Sequence, residues 1–298
     1  MKSAPFDYHA PTTVDEVIAL LVELGDGAKV LAGGQSLVPI LALRLTAFDH
    51  LVDLGRVSSL RGIERRGDML WIGAGTTQAE IETSSIVADT VPLLSLATPL
   101  IGHLQIRNRG TIGGSIAHAD PASEYAAVAV ALDATVETQS PKGMRAISAN
   151  EFFKGTWTTA LGDDEIVTGI RFPKWDGRCG FAVEEFARRH GDFALAGAVI
   201  AMQLDEQLTI QRCNIGLLGL GATPLRAAAA EGSVAGVTVS DVEVAALATL
   251  ATVNLTSVPS DVHGSSSYRV RVGAEMVARA WTRAVAGALA GSTNGGRV

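Results

Sequence analysis

Two glycine-centred stretches constrain this chain more than any other feature: Ala32-Gly33-Gly34-Gln35-Ser36-Leu37 and Thr111-Ile112-Gly113-Gly114-Ser115. The first follows Lys29-Val30-Leu31, a short apolar run that reads as a strand, and precedes Val38–Leu45, which reads as a helix apolar most of the way round. Strand, Gly-Gly-polar-Ser and then helix is an arrangement that suits anions. Glycine lets the backbone come close and adopt positive φ, so that successive N–H groups converge on phosphate oxygens. The start of a helix adds unpaired donors and the positive end of its dipole. Ser36 stands where an N-cap or phosphate-contacting hydroxyl is useful. The second stretch repeats the logic, and two such loops in one chain point to a ligand with two phosphates, such as a dinucleotide.

Either loop alone reads more readily as an ordinary turn than as a phosphate site. Neither carries the Lys-Ser/Thr of a Walker A loop, and neither is Gly-x-Gly-x-x-Gly. Gly219-Leu220-Gly221 lacks a third glycine and has Pro224 close behind, which argues against a Rossmann site there.

The 298 residues are enough for two or three domains with proper cores. With 47% hydrophobic but only 5% aromatic residues, those cores are built from Ala, Val and Leu. No apolar run is long enough to span a bilayer, and the N-terminus has no signal-peptide pattern. Cys179 and Cys213 are too few for a four-thiolate iron–sulfur cluster or a structural zinc site, and read as buried free thiols in a reducing cytosol. A net charge of −7 argues against nucleic acid as a partner. The expectation is a soluble cytoplasmic protein.

Along the chain, Phe6-Asp7-Tyr8 reads as a short strand, and Thr13-Val14-Asp15-Glu16 has the spacing of a capping box. Val14, Val17, Ile18, Leu21, Val22 and Leu24 follow at helical spacing, and Leu51–Leu54 is another strand. This βαβ-type lobe ends near residue 57. From Leu60 the pattern turns to paired strands: Leu60–Arg65 and Met69–Gly73 flank the turn Arg66-Gly67-Asp68. Thr77-Gln78-Ala79-Glu80 is a second capping box. Val91–Ile101 reads as an apolar helix interrupted by Pro92 and Pro99, and Ala122–Leu132 as a helix. Strands follow at Ala134–Thr138, Arg145–Ser148 and Glu165–Phe172. Trp175-Asp176-Gly177 marks a boundary, giving domains 1–176 (lobes about 1–57 and 58–176) and 177–298. The second domain shows strands at Gly180–Arg188, Ala194–Leu204 and Leu208–Leu218. Ala227–Ala230 reads as connector or core. Helices follow at Asp241–Thr252 and Ser267–Ala290, the latter exposing Arg269, Arg271, Arg279 and Arg283, and the chain frays from Gly291. Three antiparallel strands with helices on one face give an α+β domain.

The ordered set of motifs carries a resemblance. Ala32–Leu37, Thr111–Pro121, Arg188-Arg189-His190-Gly191-Asp192-Phe193-Ala194 and Ser260–Arg269 resemble, in order and over nearly the whole chain, the FAD-binding medium subunit of the molybdenum hydroxylases, the xanthine dehydrogenase and carbon monoxide dehydrogenase family. The resemblance implies a two-lobed FAD domain of the vanillyl-alcohol-oxidase (PCMH) type followed by a C-terminal flavoprotein domain. It implies that Lys29, Val30, Leu31, Ala32, Gly33, Gly34, Gln35, Ser36 and Leu37, with Thr111, Ile112, Gly113, Gly114 and Ser115, hold the FAD pyrophosphate. Asp120 and Glu124 would accept from ribose or ribityl hydroxyls, and Ile101 and Gly102 would line the adenine side. Val167 or Thr168, near a strand edge, would contact flavin or adenine. Phe193 takes a place where relatives can have a tyrosine near the isoalloxazine ring, with Asp192 fixing the turn at Gly191. Gln35 stands where some related folds attach flavin through histidine, so FAD is expected to be non-covalent.

The implied partners are a small subunit with two [2Fe–2S] clusters and a large subunit with the molybdenum cofactor, in a heterotrimer or a dimer of heterotrimers. The flavin would take electrons from the clusters and pass them to an external acceptor. No catalytic acid or base and no metal is expected on this chain; His118 and Asp120, two apart, lack a third ligand. Arg188 and Arg189 pair either with the pyrophosphate or within an ion-pair network. A stand-alone flavin oxidase with its own substrate pocket and a colourless nucleotide-binding regulatory module are the competing functions.

Overall fold

A computed structural model describes residues 2–291. The expected fraying from Gly291 falls on residues 292–298, outside the described residues.

The first lobe is a three-stranded parallel sheet of β1 (Asp7–His9), β2 (Ala28–Leu31) and β3 (His50–Asp53), in the order β1-β3-β2. Helix Val14–Leu24 starts at the capping box read from sequence: Glu16 N–H donates to Thr13 Oγ1 at 3.2 Å, and Thr13 N–H to Glu16 Oε2 at 3.3 Å. Its apolar stripe, Val17 and Leu21, packs with Val52, Leu54, Val57, Leu60 and Ile166, which ties this lobe to the next. The helix expected over Val38–Leu45 is shorter, Leu37–Ala42, because Arg44 adopts φ +56° and ends it. It buries only Leu41, leaving Val38, Leu43 and Leu45 exposed.

The second lobe is built on an antiparallel sheet. Its strands are β4 (Ile63–Arg66), β5 (Met69–Gly73), β6 (Thr135–Ser140), β7 (Gly143–Ser148) and, after a small hairpin of β8 (Phe153–Gly155) with β9 (Thr158–Thr159), β10 (Ile166–Pro173). The order is β4-β5-β10-β6-β7, so β10 is central. Gly67 makes the β4–β5 turn at φ +60°. Pro92 does not interrupt a helix but opens one, Pro92–Ala97, from the N1 position where its missing N–H costs nothing. Leu93, Leu94 and Ala97 pack with the wholly buried helix Glu124–Ala131 and with Ile112 and Ile116.

The C-terminal sheet has the three long strands anticipated, β11 (Arg178–Phe186), β12 (Ala196–Leu204) and β13 (Ile210–Leu218), extended by a two-residue β14 (Leu225–Arg226). Both faces are covered, which is why β12 reads as a near-continuous apolar run. On one face Ala182, Ala196, Ala198, Ile200, Met202 and Leu217 meet helices Val244–Thr252 and Ser266–Ala290. On the other, Val183, Val199, Ala201 and Leu218 join the core of the second lobe. The expectation of helices on one face therefore holds for the domain's own helices, while helix Glu124–Ala131 covers the opposite face. Arg269, expected on the exposed side of the last helix, is only 6% exposed: it donates to Leu195 O at 2.7 Å and to Asp261 Oδ2 at 2.8 Å.

Candidate functional site

The two glycine loops, far apart in sequence, interlock. A Cβ added to Gly33 would lie 2.2 Å from Arg109 O and 2.7 Å from Gly110 Cα, so the first loop rests on the backbone that leads into the second. A Cβ on Gly114 would lie 3.1 Å from the Ala32 Cβ. Gly34 turns at φ +74°, with Leu31 and Val38 closing around it, and Gln35 Nε2 donates to Gly33 O at 3.1 Å, bracing the turn.

Their donors divide unequally. In the first loop the backbone N–H groups of Gly33, Gly34, Gln35, Ser36 and Leu37 have no protein acceptor among the described residues. Five consecutive half-buried amides without acceptors form an anion-binding concavity. Ser36 does not cap its helix through its hydroxyl; its backbone is already helical, at φ −99° and ψ −47°. In the second loop the donors are used internally. Gly113 N–H bonds Ala74 O at 2.9 Å, Gly114 N–H bonds the N-cap Thr111 Oγ1 at 3.1 Å, and Ser115 N–H bonds Thr111 O at 3.0 Å. Thr111 and Ile112 are buried, Ile112 in the core. The second loop therefore contributes closeness of backbone more than free donors. Lys29 is exposed on β2 with its ammonium over the Phe48 ring, and Val30 is half-buried beside it.

The other expected residues surround this core. Asp120 is already engaged, taking Ala122 N–H at 2.9 Å and Trp157 Nε1–H at 3.3 Å. His118 stacks on Trp157, 6.3 Å between centroids. Burial pulls the His118 imidazole below its ordinary value; Asp120 opposes this and Lys29 adds to it. Glu124 opens helix Glu124–Ala131, is 8% exposed, and takes no hydrogen bond from another residue among those described. Burial pushes its carboxyl up to about 8, and the charges of Glu185 and Asp120 add to this against the hold of its own backbone N–H.

Val167 and Thr168 lie at a bulge near the start of β10, the central strand of the second-lobe sheet. Val167 is buried, and Thr168 O takes Ala74 N–H at 3.0 Å, one residue contact away from Gly113. Ile101 and Gly102 form a turn whose carbonyls accept from the buried Arg107, itself paired with Glu82 at 2.7 Å. The loop Arg188–Phe193 reaches over from the C-terminal domain and touches this turn: a Cβ on Gly191, at φ +82°, would lie 2.8 Å from Gly102 O. Asp192 N–H closes that loop onto Arg189 O at 3.1 Å, leaving Phe193 66% exposed at its tip. Arg188 and Arg189 form no ion pair among the described residues. Glu185 on β11, absent from the expected residues, has its Oε2 buried without a partner among the described residues.

The arrangement suits a phosphate-bearing ligand on the first loop, hydroxyl groups toward Glu124, and a planar ring against Phe193. FAD fits these features: free amides for a pyrophosphate, two loops that glycines at 33 and 114 let pack backbone to backbone, and no histidine at position 35.

Comparisons with known proteins agree. The family described as "FAD binding domain in molybdopterin dehydrogenase" matches residues 4–175, and "CO dehydrogenase flavoprotein C-terminal domain" matches residues 181–284. The chain is 41% identical to 6-hydroxypseudooxynicotine dehydrogenase complex subunit alpha of Paenarthrobacter nicotinovorans over 96% of each. It is 37% identical to the carbon monoxide dehydrogenase medium chain of Hydrogenophaga pseudoflava, covering 93% of this chain and 98% of that one. The fold superimposes on a structure of carbon monoxide dehydrogenase from Hydrogenophaga pseudoflava with TM-score 0.93 at 39% identity, over 96% of this chain and 99% of that one. Quinoline 2-oxidoreductase from Pseudomonas putida 86 gives TM-score 0.91 at 34% identity, over 97% and 100%. Among the described residues, no helix is long and apolar enough to cross a membrane. Two interlocked glycine loops and these matches over nearly its whole length establish that the chain belongs to the FAD-binding medium subunits of the molybdenum hydroxylase family, oxidoreductases related to carbon monoxide dehydrogenase.

Proposed function

We propose that this chain is the electron-transfer subunit of a cytoplasmic molybdenum hydroxylase, working as a heterotrimer or a dimer of heterotrimers. The partners are a small subunit carrying [2Fe–2S] clusters and a large subunit carrying the molybdenum cofactor. Substrate is oxidised on the large subunit, and electrons reach this chain through the clusters. The observation that carries the reading is the first loop: five backbone amides without protein acceptors among the described residues, set against the second loop.

Bound FAD accepts electrons singly and delivers one or two, linking cluster chemistry to an external acceptor. The residues of this chain bind and orient it. Residues 29–37 and 111–115 hold the pyrophosphate, the first loop through its free amides and the second through close backbone approach. Asp120 and Glu124 lie toward the hydroxyl-bearing chain, and Ile101 and Gly102 beside the adenine. Val167 and Thr168 back the second loop from below. Phe193, positioned by the Asp192 turn, covers one ring face and keeps water from it, without a hydroxyl to hydrogen-bond. With Gln35 in place of a histidine, FAD is held non-covalently. The division into 1–176 and 177–298 puts this binding in the first domain, with the Arg188–Phe193 loop supplied by the second.

The test uses the assembled complex. Gly114→Val should strip FAD while the large subunit still oxidises substrate with an artificial acceptor. Loss of that artificial-acceptor activity in an intact complex contradicts the division of labour. Reduction of FAD by a small organic substrate on this chain alone would make it a stand-alone oxidase.

A further inference from the structure

We propose that Glu185 of the C-terminal domain is a second carboxyl ligand of the same FAD, accepting from its hydroxyl-bearing chain opposite Glu124. The proposal rests on the FAD reading above.

Strand alternation sets its direction. On β11, Ala182 packs with the last helices and Val183 with the second lobe. Residues two apart share a face, so Glu184 follows Ala182 and Glu185 follows Val183. Glu184 meets Arg283 of the last helix at 2.5 Å, as that parity requires. Glu185 therefore faces the FAD domain.

Register sets its level. Glu185 stands opposite Gly197, and Gly197 opposite Leu218. Helix Glu124–Ala131 runs along β13 on this same face: Asn214 Nδ2 donates to Ala131 O at 2.6 Å, and a Cβ on Gly216 would lie 2.7 Å from Ala127 O. Gly219 N–H bonds Pro121 O at 2.9 Å. Rising along β13 thus descends the helix toward its N-terminus, and the row of Leu218, Gly197 and Glu185 is reached at Glu124. Gly197 leaves the middle of that row without a side chain; a Cβ there would come within 3.0 Å of Glu185 Cβ.

The two carboxyls are in an unusual state for a finished fold. Glu185 Oε2 has neither solvent nor a hydrogen-bond partner among the described residues. Glu124 is 8% exposed with no donor from another residue. Burial pushes Glu185 up to about 7, and Glu124 higher still, so neither ionises easily beside the other. Asp120 adds negative charge to Glu124 rather than relieving it, and no cation closes on either carboxyl among the described ion pairs. A buried acid beside a half-buried one whose inner oxygen lacks a donor calls for an explanation. A chain of neutral hydroxyl groups supplies one: each can donate to a carboxyl oxygen, satisfying it without a second buried charge.

The test separates ligand from scaffold because the two roles move stability in opposite directions. FAD affinity is measured on the full-length, FAD-stripped chain by fluorescence titration, together with the Tm of that stripped chain. Glu185→Leu should weaken FAD binding at least tenfold while raising the Tm, since it removes a half-buried acid whose Oε2 is buried without a partner. Glu185→Gln, which keeps an acceptor oxygen, should stay within threefold. Glu184→Gln, on the opposite face, should leave affinity unchanged. A Glu185→Leu chain that binds FAD within twofold of wild type overturns the proposal, as does one whose Tm falls with its affinity. A wild-type chain that binds no FAD overturns the FAD reading and the proposal with it.

Discussion

Gly33→Ala tests the interlock of the two loops most sharply. A Cβ there would sit 2.2 Å from Arg109 O, 2.7 Å from Gly110 Cα and 2.8 Å from Arg109 C. Even a close carbon–oxygen contact stays near ~3.3 Å, so one loop must retreat by about 1 Å. The obstacle is backbone on both sides and cannot swing aside as a side chain would. Overpacking of this kind costs about 1–3 kcal/mol. Binding suffers more than folding, because the first loop's free amides must aim together at one pyrophosphate, and about 1 Å of misplacement can cost on the order of 100-fold. Gly67→Ala is the control: nothing lies within 4 Å of the new methyl, but the residue keeps φ +60°, so about 1 kcal/mol of stability is lost far from the site. The assay is FAD retained after gel filtration, with affinity from fluorescence titration. Gly33→Ala should lose roughly 100-fold in affinity, and Gly67→Ala nothing. A Gly33→Ala chain that holds FAD within threefold of wild type would refute the interlocked-loop account.

Arg269→Met should loosen the Arg188–Phe193 loop through the freed Leu195 carbonyl, costing about 2 kcal/mol. Hydrogen exchange should then quicken at residues 188–195, and Arg269→Lys should recover part of the protection. Asp133 accepts from Arg226 at 2.7 Å, Arg212 at 3.0 Å and Asn150 at 3.0 Å, and itself holds φ +53°. Asp133→Ala should cost about 1–2 kcal/mol, discounted for partial exposure, and lower the Tm by a few degrees. Asp133→Asn, which tolerates the left-handed backbone, should lose less. Burial pushes Glu165 up, but bonds from Arg145, the Thr138 hydroxyl and Gly162 N–H outweigh it and hold the carboxyl at about 2. A carboxyl depressed on folding contributes stability above its unfolded value, which is lost as pH falls through its folded value. Acid denaturation between pH 4.5 and about 2 should therefore be shallower in Arg145→Met, as followed by circular dichroism.

Local chemistry made much of the fold legible. The capping boxes at Thr13 and Thr77 and the Arg66-Gly67-Asp68 turn are short-range devices, and each stands where its residues placed it. Both glycine loops were visible for the same reason. What stayed hidden depends on contacts between distant segments. Nothing near Gly33 announces Arg109, and nothing in Val38–Leu45 announces the left-handed Arg44. Pro92 looks like a break when its helix-opening position is unknown. A strand apolar on both faces, as β12 is, does not say what covers the second face. Arg269 sits in a run of evenly spaced arginines and looks exposed until Asp261 and Leu195 close on it. Glu185 does leave a signal in the sequence: adjacent acids on one strand point to opposite faces, so in a sheet covered on both sides one of them must face the neighbouring domain.

The central claim, a non-covalent FAD held by two interlocked loops, is tested most directly by an absorption spectrum of the purified chain before and after acid precipitation. The account predicts a flavin spectrum that passes intact into the supernatant and is identified there as FAD. Colour left in the pellet would contradict non-covalent binding. A chain that stays colourless after incubation with FAD would contradict the site itself.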